Sequence, residues 1–281
     1  MEPFETYRPW LLGLAYRLLG SMGDAEDVVH EAYARWWVGG RDEVREPRTF
    51  LVTAVSRLAL DQLRAARAAR EAYVGPWLPE PVATVALGPL TTAGLRHTVA
   101  YATVHLMEGL SPPERAVFVL TEGFEVGYGE TARILDTTVT SCTRLHHRAA
   151  RLLAAGRDRF ALAEDAHAAL LTLFLETARS GDAAGLAGLL TEDAVVHSDG
   201  GGKVRAALRP IGGREQVAAH FADLFTGRPF GAPRLVDVNG RPSLAGTVDG
   251  SPRLLTVDVT DGGVDNLYVV LNPDKLAHIP G

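Results

Sequence analysis

Residues 198–206 read SDGGGKVRA, three glycines running into Lys203. Phosphate-binding loops are built from such a composition. They need a glycine-rich turn between a strand and a helix, and a Lys followed by Ser or Thr to hold magnesium. Here Val204 follows the lysine, no first glycine stands at the required spacing, and Arg209-Pro210 interrupts any following helix. What remains is a loop or hairpin whose glycines take positive φ, expected to hold protein and to bind no nucleotide. Lys203 has a single counterpart. Among 28 Lys+Arg the other lysine is Lys275, in the compact turn NPDKL (Asn272, Pro273, Asp274, Lys275, Leu276).

The C-terminal third holds Asp, Glu and His side chains, His197, Asp199, His220 and Asp258 among them, of the types that acid–base chemistry uses. General acid–base catalysis would need burial to bring a carboxyl pKa toward neutrality. Asp199 precedes glycines, as turn-capping residues do, and Asp258 lies in an alternating apolar run, so no catalytic residue is assigned. The single cysteine, Cys142, excludes an internal disulfide framework and a Cys-based zinc site. Neither a metal nor a cofactor is expected.

Charge supplies the other chemistry. The chain carries a formal net charge of −6, which argues against nucleic acid unless local patches contradict the average. Two do. Residues 57–70 hold four Arg against Asp61, and residues 136–160 hold five Arg against Asp136 and Asp158. In the first, Arg57, Asp61, Arg64 and Arg67 lie on a helical stretch that turns Leu51, Val55, Leu58 and Ala59 inward. In the second, a wheel at about 100° per residue puts Cys142, Leu145, Ala149, Leu152 and Leu153 on one side. Thr140, Arg144, His147, Arg148 and Arg151 fall on the other, with Ser141 and Thr143 near the helix start. Guanidinium forks and short hydroxyls suit base edges and phosphates.

The elements that position these groups are legible. From Phe4 to about Glu71 the apolar spacing is helical, with breaks at Gly20–Gly23 and Gly39-Gly40. The second of these helices starts with Asp24, Glu26, Asp27 and Glu31, which suit its dipole. Residues 72–96 lose the periodicity and are rich in Pro and Gly, marking a linker, although Tyr73, Trp77 and Leu78 predict that something packs on it. Residues 97–160 form a second helical domain. Ser111-Pro112-Pro113-Glu114 is a capping box, and helices over about 128–135 and 138–154 have helix-turn-helix spacing. Beyond, helices over 166–182, 184–190 and 214–226 precede four alternating runs with Asn239-Gly240, Asp249-Gly250 and Asp261-Gly262-Gly263 turns between them, the pattern of helices on one antiparallel sheet. The fold class is multidomain: two all-α domains followed by an α+β domain, with boundaries 1–71, 72–96 (linker), 97–160 and 161–281.

No apolar run approaches the roughly 20 residues of a membrane span, and MEPFETYRPW lacks signal-peptide character. A cytoplasmic protein without membrane partners is expected.

The segments YRLLGSMGDAEDVVHEAYARWW, PRTFLVTAVSRLALDQLRAARAARE and LSPPERAVFVLTEGFEVGYGETARILDTTVTSCTRLHHRAARLL resemble a bacterial sigma factor of the extracytoplasmic-function (ECF) sigma-70 type, with region 2 and region 4 alone, over about residues 4–155. WLPEP (Trp77, Leu78, Pro79, Glu80, Pro81), DGGGK (Asp199, Gly200, Gly201, Gly202, Lys203) and NPDKL further resemble the signature set of the subgroup with a C-terminal SnoaL-like, NTF2-fold extension. The resemblance implies a cone-shaped regulatory domain, RNA polymerase core and promoter DNA as partners, and a monomer needing no separate anti-sigma factor. Asp24, Glu26, Asp27 and Glu31 would dock on the polymerase clamp, the Arg57–Arg70 helix would engage the −10 element, and the 138–151 helix would enter the major groove at −35. DTTVTSCTRLHH departs from the subgroup's wording, so Thr143, His146 and His147 are expected to read different bases. The NTF2 cone implies an internal cavity and an unknown small ligand; a small-molecule enzyme with incidental helical domains is the competing class. The expectation for the three signature motifs is that DGGGK and NPDKL pack on WLPEP, so that the third domain regulates the sigma factor in cis.

Overall fold

The computed structural model describes residues 4–38, 46–88, 92–154, 164–227 and 230–279, without the side chains of residues 67–69, 71 and 164. Arg67, Arg157 and Arg159, each in a basic tract, therefore lie outside the described side chains. The chain divides into two compact units, one of Met1–Glu71 with Thr84–Gly156 and one of Ala72–Ala83 with Arg157–Gly281.

In the first unit, α1 (Phe4–Leu19), α2 (Met22–Val38) and α3 (Pro47–Glu71) pack through Leu14, Val29, Trp36, Leu51 and Val55, all 5% exposed or less. Leu58, expected inward, is only half-buried; Leu60 takes that place in the core. Helix α4 (Ala93–Val99) opens inside the stretch that Pro and Gly content marks as linker, because the Thr92 side chain accepts the Leu95 N–H and caps it. α5 (Tyr101–Leu106) and α6 (Pro112–Phe118) follow. The predicted capping box is present: the Glu114 carboxylate accepts both the N–H and the hydroxyl of Ser111. Then come α7 (Tyr128–Ile134) and α8 (Val139–Leu153), close to the predicted spans.

Within this unit the two helical halves share a buried polar network. Glu108 pairs with Arg70 of α3 and with Arg115 of α6. Arg70 also donates to the Leu19 carbonyl at 2.8 Å, and Arg115 to that of Arg17 at 3.0 Å. Arg17, with no exposed surface, donates to Gly13 O, Leu95 O and the Thr98 hydroxyl. Burial pulls its pKa down to about 10. Arginine tolerates this because its five donors find carbonyls while the guanidinium stays charged. Arg17 and Glu108 carry no sequence signal of this role, since long-range burial leaves none.

The second unit is one six-stranded sheet, order β2-β1-β6-β5-β4-β3, carrying three helices. These are α9 (Glu164–Arg179), α10 (Ala183–Leu189) and α11 (Arg214–Gly227), with β1 (Leu190–Asp199), β2 (Ile211–Gly212), β3 (Gly231–Val238), β4 (Arg241–Val248), β5 (Ser251–Thr260) and β6 (Gly263–Val270). The last four are the predicted antiparallel meander. Strand β1 was not legible. A register shift between Leu190 and Val195 against its parallel partner β6 breaks the alternation, and Glu192 and Asp193 stand exposed at that irregularity. The helices cover one face through Phe174, Ala178, Phe221 and Phe225 against Leu255 and Val257. This is an α+β domain, three helices on one face of a single sheet.

His167 of α9 is 4% exposed. Burial, then the Arg241 charge, pull its pKa down to about 4, against a hydrogen bond to Pro242. A depressed histidine pKa means the unfolded chain binds the extra proton first. Its stability contribution is therefore present above about 6.5 and lost as pH falls toward 4, by ~3 kcal/mol. The C-terminal unit should melt at lower temperature at pH 4.5 than at pH 7, and His167→Gln should flatten that dependence; an unchanged pH profile in the variant would contradict this.

Candidate functional site: a basic helix face and a linker clasp

The turn from α7 to α8 places Asp136 at φ 50, and Thr138 caps α8 by accepting the Ser141 N–H at 3.1 Å. Cys142, Ala149 and Leu153 are buried, and Cys142 packs with Val117 and Ala132. Leu152, read as core, is 46% exposed; the core behind α8 is narrow and leaves that position at its rim. Thr140, Arg144, His147 and Arg151 are exposed, while Ser141 and Thr143 are half-buried. Arg148 is exposed but tied to Glu114 at 2.9 Å. Burial raises the Glu114 pKa, yet Ser111 hydrogen bonds and the Arg148 charge bring it below the ordinary carboxylate value.

His146 corrects a sequence expectation. Its ring lies between Tyr128 Oη (3.0 Å from Nδ1) and Glu122 Oε1 (2.9 Å from Nε2) and faces the protein. The next residue, His147, is turned by about 100° and is exposed.

The basic tract of α3 is more engaged than its exposed appearance in sequence suggests. Arg57 donates to the Ile134 and Arg133 carbonyls at the C-terminal end of α7, at 2.9 and 3.2 Å. Those are the orphan acceptors of a helix end, where a cation is also favoured by the dipole. Arg64 pairs with Asp61 at 3.0 Å on the surface, and Arg70 is held by Glu108. On α2, Glu26, Asp27 and Glu31 are exposed, with Glu31 bridging Arg35 at 2.9 Å; Asp24 is half-buried with its N–H on Ser21 Oγ.

In the second unit the three signature motifs meet at Asp199, which has no exposed surface. Its carboxylate accepts the Tyr73 hydroxyl (2.6 Å), the Leu78 N–H (3.0 Å), the Gly201 N–H (3.0 Å) and Lys275 Nζ (2.7 Å). Its carbonyl accepts the N–H groups of Leu271 and Asn272. Lys275 also donates to Leu78 O at 2.5 Å and lies 3.3 Å from the Trp77 ring centroid. Leu78 is therefore held at both backbone groups by one buried ion pair. Asn272 donates to Tyr73 Oη at 3.0 Å. Burial, then the hydrogen bond to Asp199, raise the Tyr73 pKa, keeping the phenol protonated as the donor.

The glycines of DGGGK are explained by approach. A Cβ on Gly201, at φ +59, would stand 2.3 Å from Asn272 Nδ2 and 2.9 Å from Tyr73 Oη. The Lys203 and Val204 N–H groups both return to Gly200 O, so they do not converge outward on a phosphate. Lys203 itself reaches Asp274 at 2.5 Å on the surface. Titration with ATP should give no saturable heat; micromolar binding that disappears in Lys203→Ala would contradict this reading.

Pro79, Glu80 and Pro81 are buried, with Glu80 3.4 Å from His278. Pro273 is exposed and Leu276 buried. A second hold was missed in sequence: Asn239, whose Asn-Gly signal announced only a hairpin turn. Its side chain accepts the Val82 N–H at 3.0 Å and its own N–H donates to Val82 O at 2.9 Å.

The acid–base candidates separate. His220 lines a cavity of about 450 Å³, whereas Asp199, His197 and Asp258 are not among its lining residues. His197 stacks on Tyr268, and Asp258 accepts the Tyr268 hydroxyl at 2.9 Å. Among the described residues no group of His, Cys, Asp and Glu is arranged to hold a metal, and no helix is long and apolar enough to cross a membrane.

Residues 3–69 match Sigma-70 region 2 and residues 102–153 match Sigma-70, region 4. The ECF RNA polymerase sigma factor SigJ of Mycobacterium tuberculosis is 35% identical over 295 residues, covering 100% of this chain and 94% of the relative. The chain belongs to the ECF sigma-70 family. The probable ECF sigma factor SigI of the same organism is 30% identical over 181 residues, 64% of this chain and 62% of the relative. The crystal structure of M. tuberculosis SigJ superposes with a TM-score of 0.80 at 33% identity, covering 99% of this chain and 98% of that one. α1–α3 are thus region 2 of a sigma factor and α5–α8 lie in its region 4. The family is one of transcription initiation factors and not of enzymes.

Proposed function

We propose that this sigma factor directs RNA polymerase core to −35/−10 promoters under control of its own C-terminal domain, which acts on the linker between regions 2 and 4. The observation that carries this reading is the Asp199–Lys275 pair holding both backbone groups of Leu78. A flexible tether would need no buried ion pair, and burying one is costly unless further hydrogen bonds satisfy it. The clasp fixes part of the 72–92 connection, and with it the reach between the two DNA-binding regions. No separate anti-sigma protein is then required.

In this reading the exposed face of α8 enters the major groove at −35, with Arg144, His147 and Arg151 contacting bases and phosphates and Thr140, Ser141 and Thr143 near the entering end. Region 2 engages the −10 element through Arg57, Asp61, Arg64 and Arg67. Arg57 must first leave the α7 carbonyls, so engagement with DNA and the packed arrangement of regions 2 and 4 exclude one another at that side chain. The acidic face of Asp24, Glu26, Asp27 and Glu31 docks on polymerase. Arg144→Ala should weaken promoter binding by about 1–3 kcal/mol and relax selectivity at one base pair, measured by mobility shift of the holoenzyme; Arg148→Ala should do less, because Glu114 already holds that side chain.

The test is multi-round transcription with bacterial core polymerase on the protein's own upstream region, comparing the full chain with a chain ending at Leu271. Transcripts that depend on the added chain and change on truncation support cis control. The absence of any transcript or polymerase complex from both forms would contradict the proposal.

A further inference from the structure

We propose that the cavity of the C-terminal domain is a binding site for a small aromatic carboxylate, and that its occupancy braces the linker clasp. At about 450 Å³ the cavity falls in the range of about 300–1,000 Å³ typical of small-ligand sites. Its walls are apolar and aromatic: Phe221, Phe225 and Phe230 line it, with Phe225 and Phe230 stacked at 5.6 Å. Such rings favour a flat aromatic guest through offset and edge contacts.

Charge defines the rest. The titratable or charged residues that line it are Arg205, Arg253 and His220, and no Asp or Glu is among the lining. That is unexpected in a chain of net charge −6. Ser198 adds a hydroxyl. Burial lowers the His220 pKa against the pull of Asp223, so the positive charge comes from Arg205 and from Arg253, which also donates to Pro252 O at 2.7 Å; a guanidinium fork matches a carboxylate. Arg205 lies in an exposed loop and Arg253 on β5.

Coupling follows from shared segments. Ser198 precedes Asp199, Val204 and Arg205 follow Lys203, and Leu271 precedes Asn272, so two stretches of chain serve both the cavity wall and the clasp. A ligand that orders these stretches favours the clasped state by its differential affinity. This coupling rests on the cis-control reading; the binding site does not.

The experiment is titration of the full chain with 2-naphthoate, with 2-naphthylmethanol and 2-naphthylmethylammonium as neutral and cationic counterparts. Hydrogen exchange of the Leu78 and Val82 amides is followed in parallel. The expected result is saturable one-to-one binding of the carboxylate, about tenfold weaker for the alcohol and undetectable for the ammonium. Arg253→Ala and the loop variant Arg205→Ala should each weaken it about tenfold, and exchange at Leu78 and Val82 should slow. No saturable carboxylate binding, equal binding of the ammonium, or full retention in both arginine variants would overturn the site. Binding with unchanged exchange would overturn the coupling alone, and a transcription result independent of the clasp would overturn cis control alone.

Discussion

Asp199→Ala is expected to destabilise the C-terminal unit by about 3–5 kcal/mol, the cost of breaking a buried ion pair from one side. Four donors converge on that carboxylate, from Tyr73, Leu78, Gly201 and Lys275. Removing it leaves the Lys275 ammonium buried with Leu78 O and the Trp77 ring for company. The variant therefore loses more than the pair is worth. A double-mutant cycle with Lys275→Met separates the two, because the double variant no longer buries an unpaired charge. It should be more stable than Asp199→Ala alone. Urea unfolding checks this; a double variant as unstable as the sum of the two single ones would show that Asp199 and Lys275 do not act as a pair.

Glu108→Ala is expected to have an effect of similar size in the first unit. One carboxylate serves Arg70 and Arg115, with side-chain exposures of 18% and 2%. Burial lowers the Arg70 pKa, Glu108 raises it and Arg115 lowers it again. Without Glu108 the two guanidiniums face each other across a low-dielectric interior, and roughly 3 kcal/mol of stability should be lost. Calorimetry of the full chain should show the transition of the first unit shifted down, and amide exchange in α3 and α6 should quicken. Glu108→Gln should fall between, since it keeps an acceptor and loses the charge. A variant that melts as the parent does would remove the network from the account of how regions 2 and 4 stay packed.

How much of this the sequence revealed depended on the range of the signal. The capping box at Ser111, the turn before α8 and the polar face of Thr140, Arg144, His147 and Arg151 are local patterns, and they stand where they were expected. The apolar Tyr73, Trp77 and Leu78 marked the linker as something that packs, and the scarcity of lysine drew attention to Lys203 and Lys275. Their different fates were not legible: Lys275 is buried in the clasp while Lys203 is a surface partner of Asp274. Strand β1 was hidden because its bulge destroys the alternation on which strand reading relies. Asn239 looked like a hairpin residue and is one, and its hold on Val82 depends on chain more than 150 residues away, beyond any periodicity. His146 and His147 share composition and neighbourhood, and only the packing of Tyr128 and Glu122 decides which of them faces inward. Arg57 read as part of an outward stripe, and Arg70 as part of the same basic tract, because the carbonyls and the carboxylate that hold them come from distant parts of the chain.

The most direct measurement is transcription by core polymerase programmed with the full chain, with Asp199→Ala and with the Asp199→Ala/Lys275→Met double variant, on one promoter and at one polymerase concentration. The account predicts that all three bind core equally and that transcript yield from the two clasp variants departs several-fold from that of the full chain. Equal yields from all three forms would contradict it, leaving the clasp as packing within the C-terminal unit and the control of this sigma factor elsewhere.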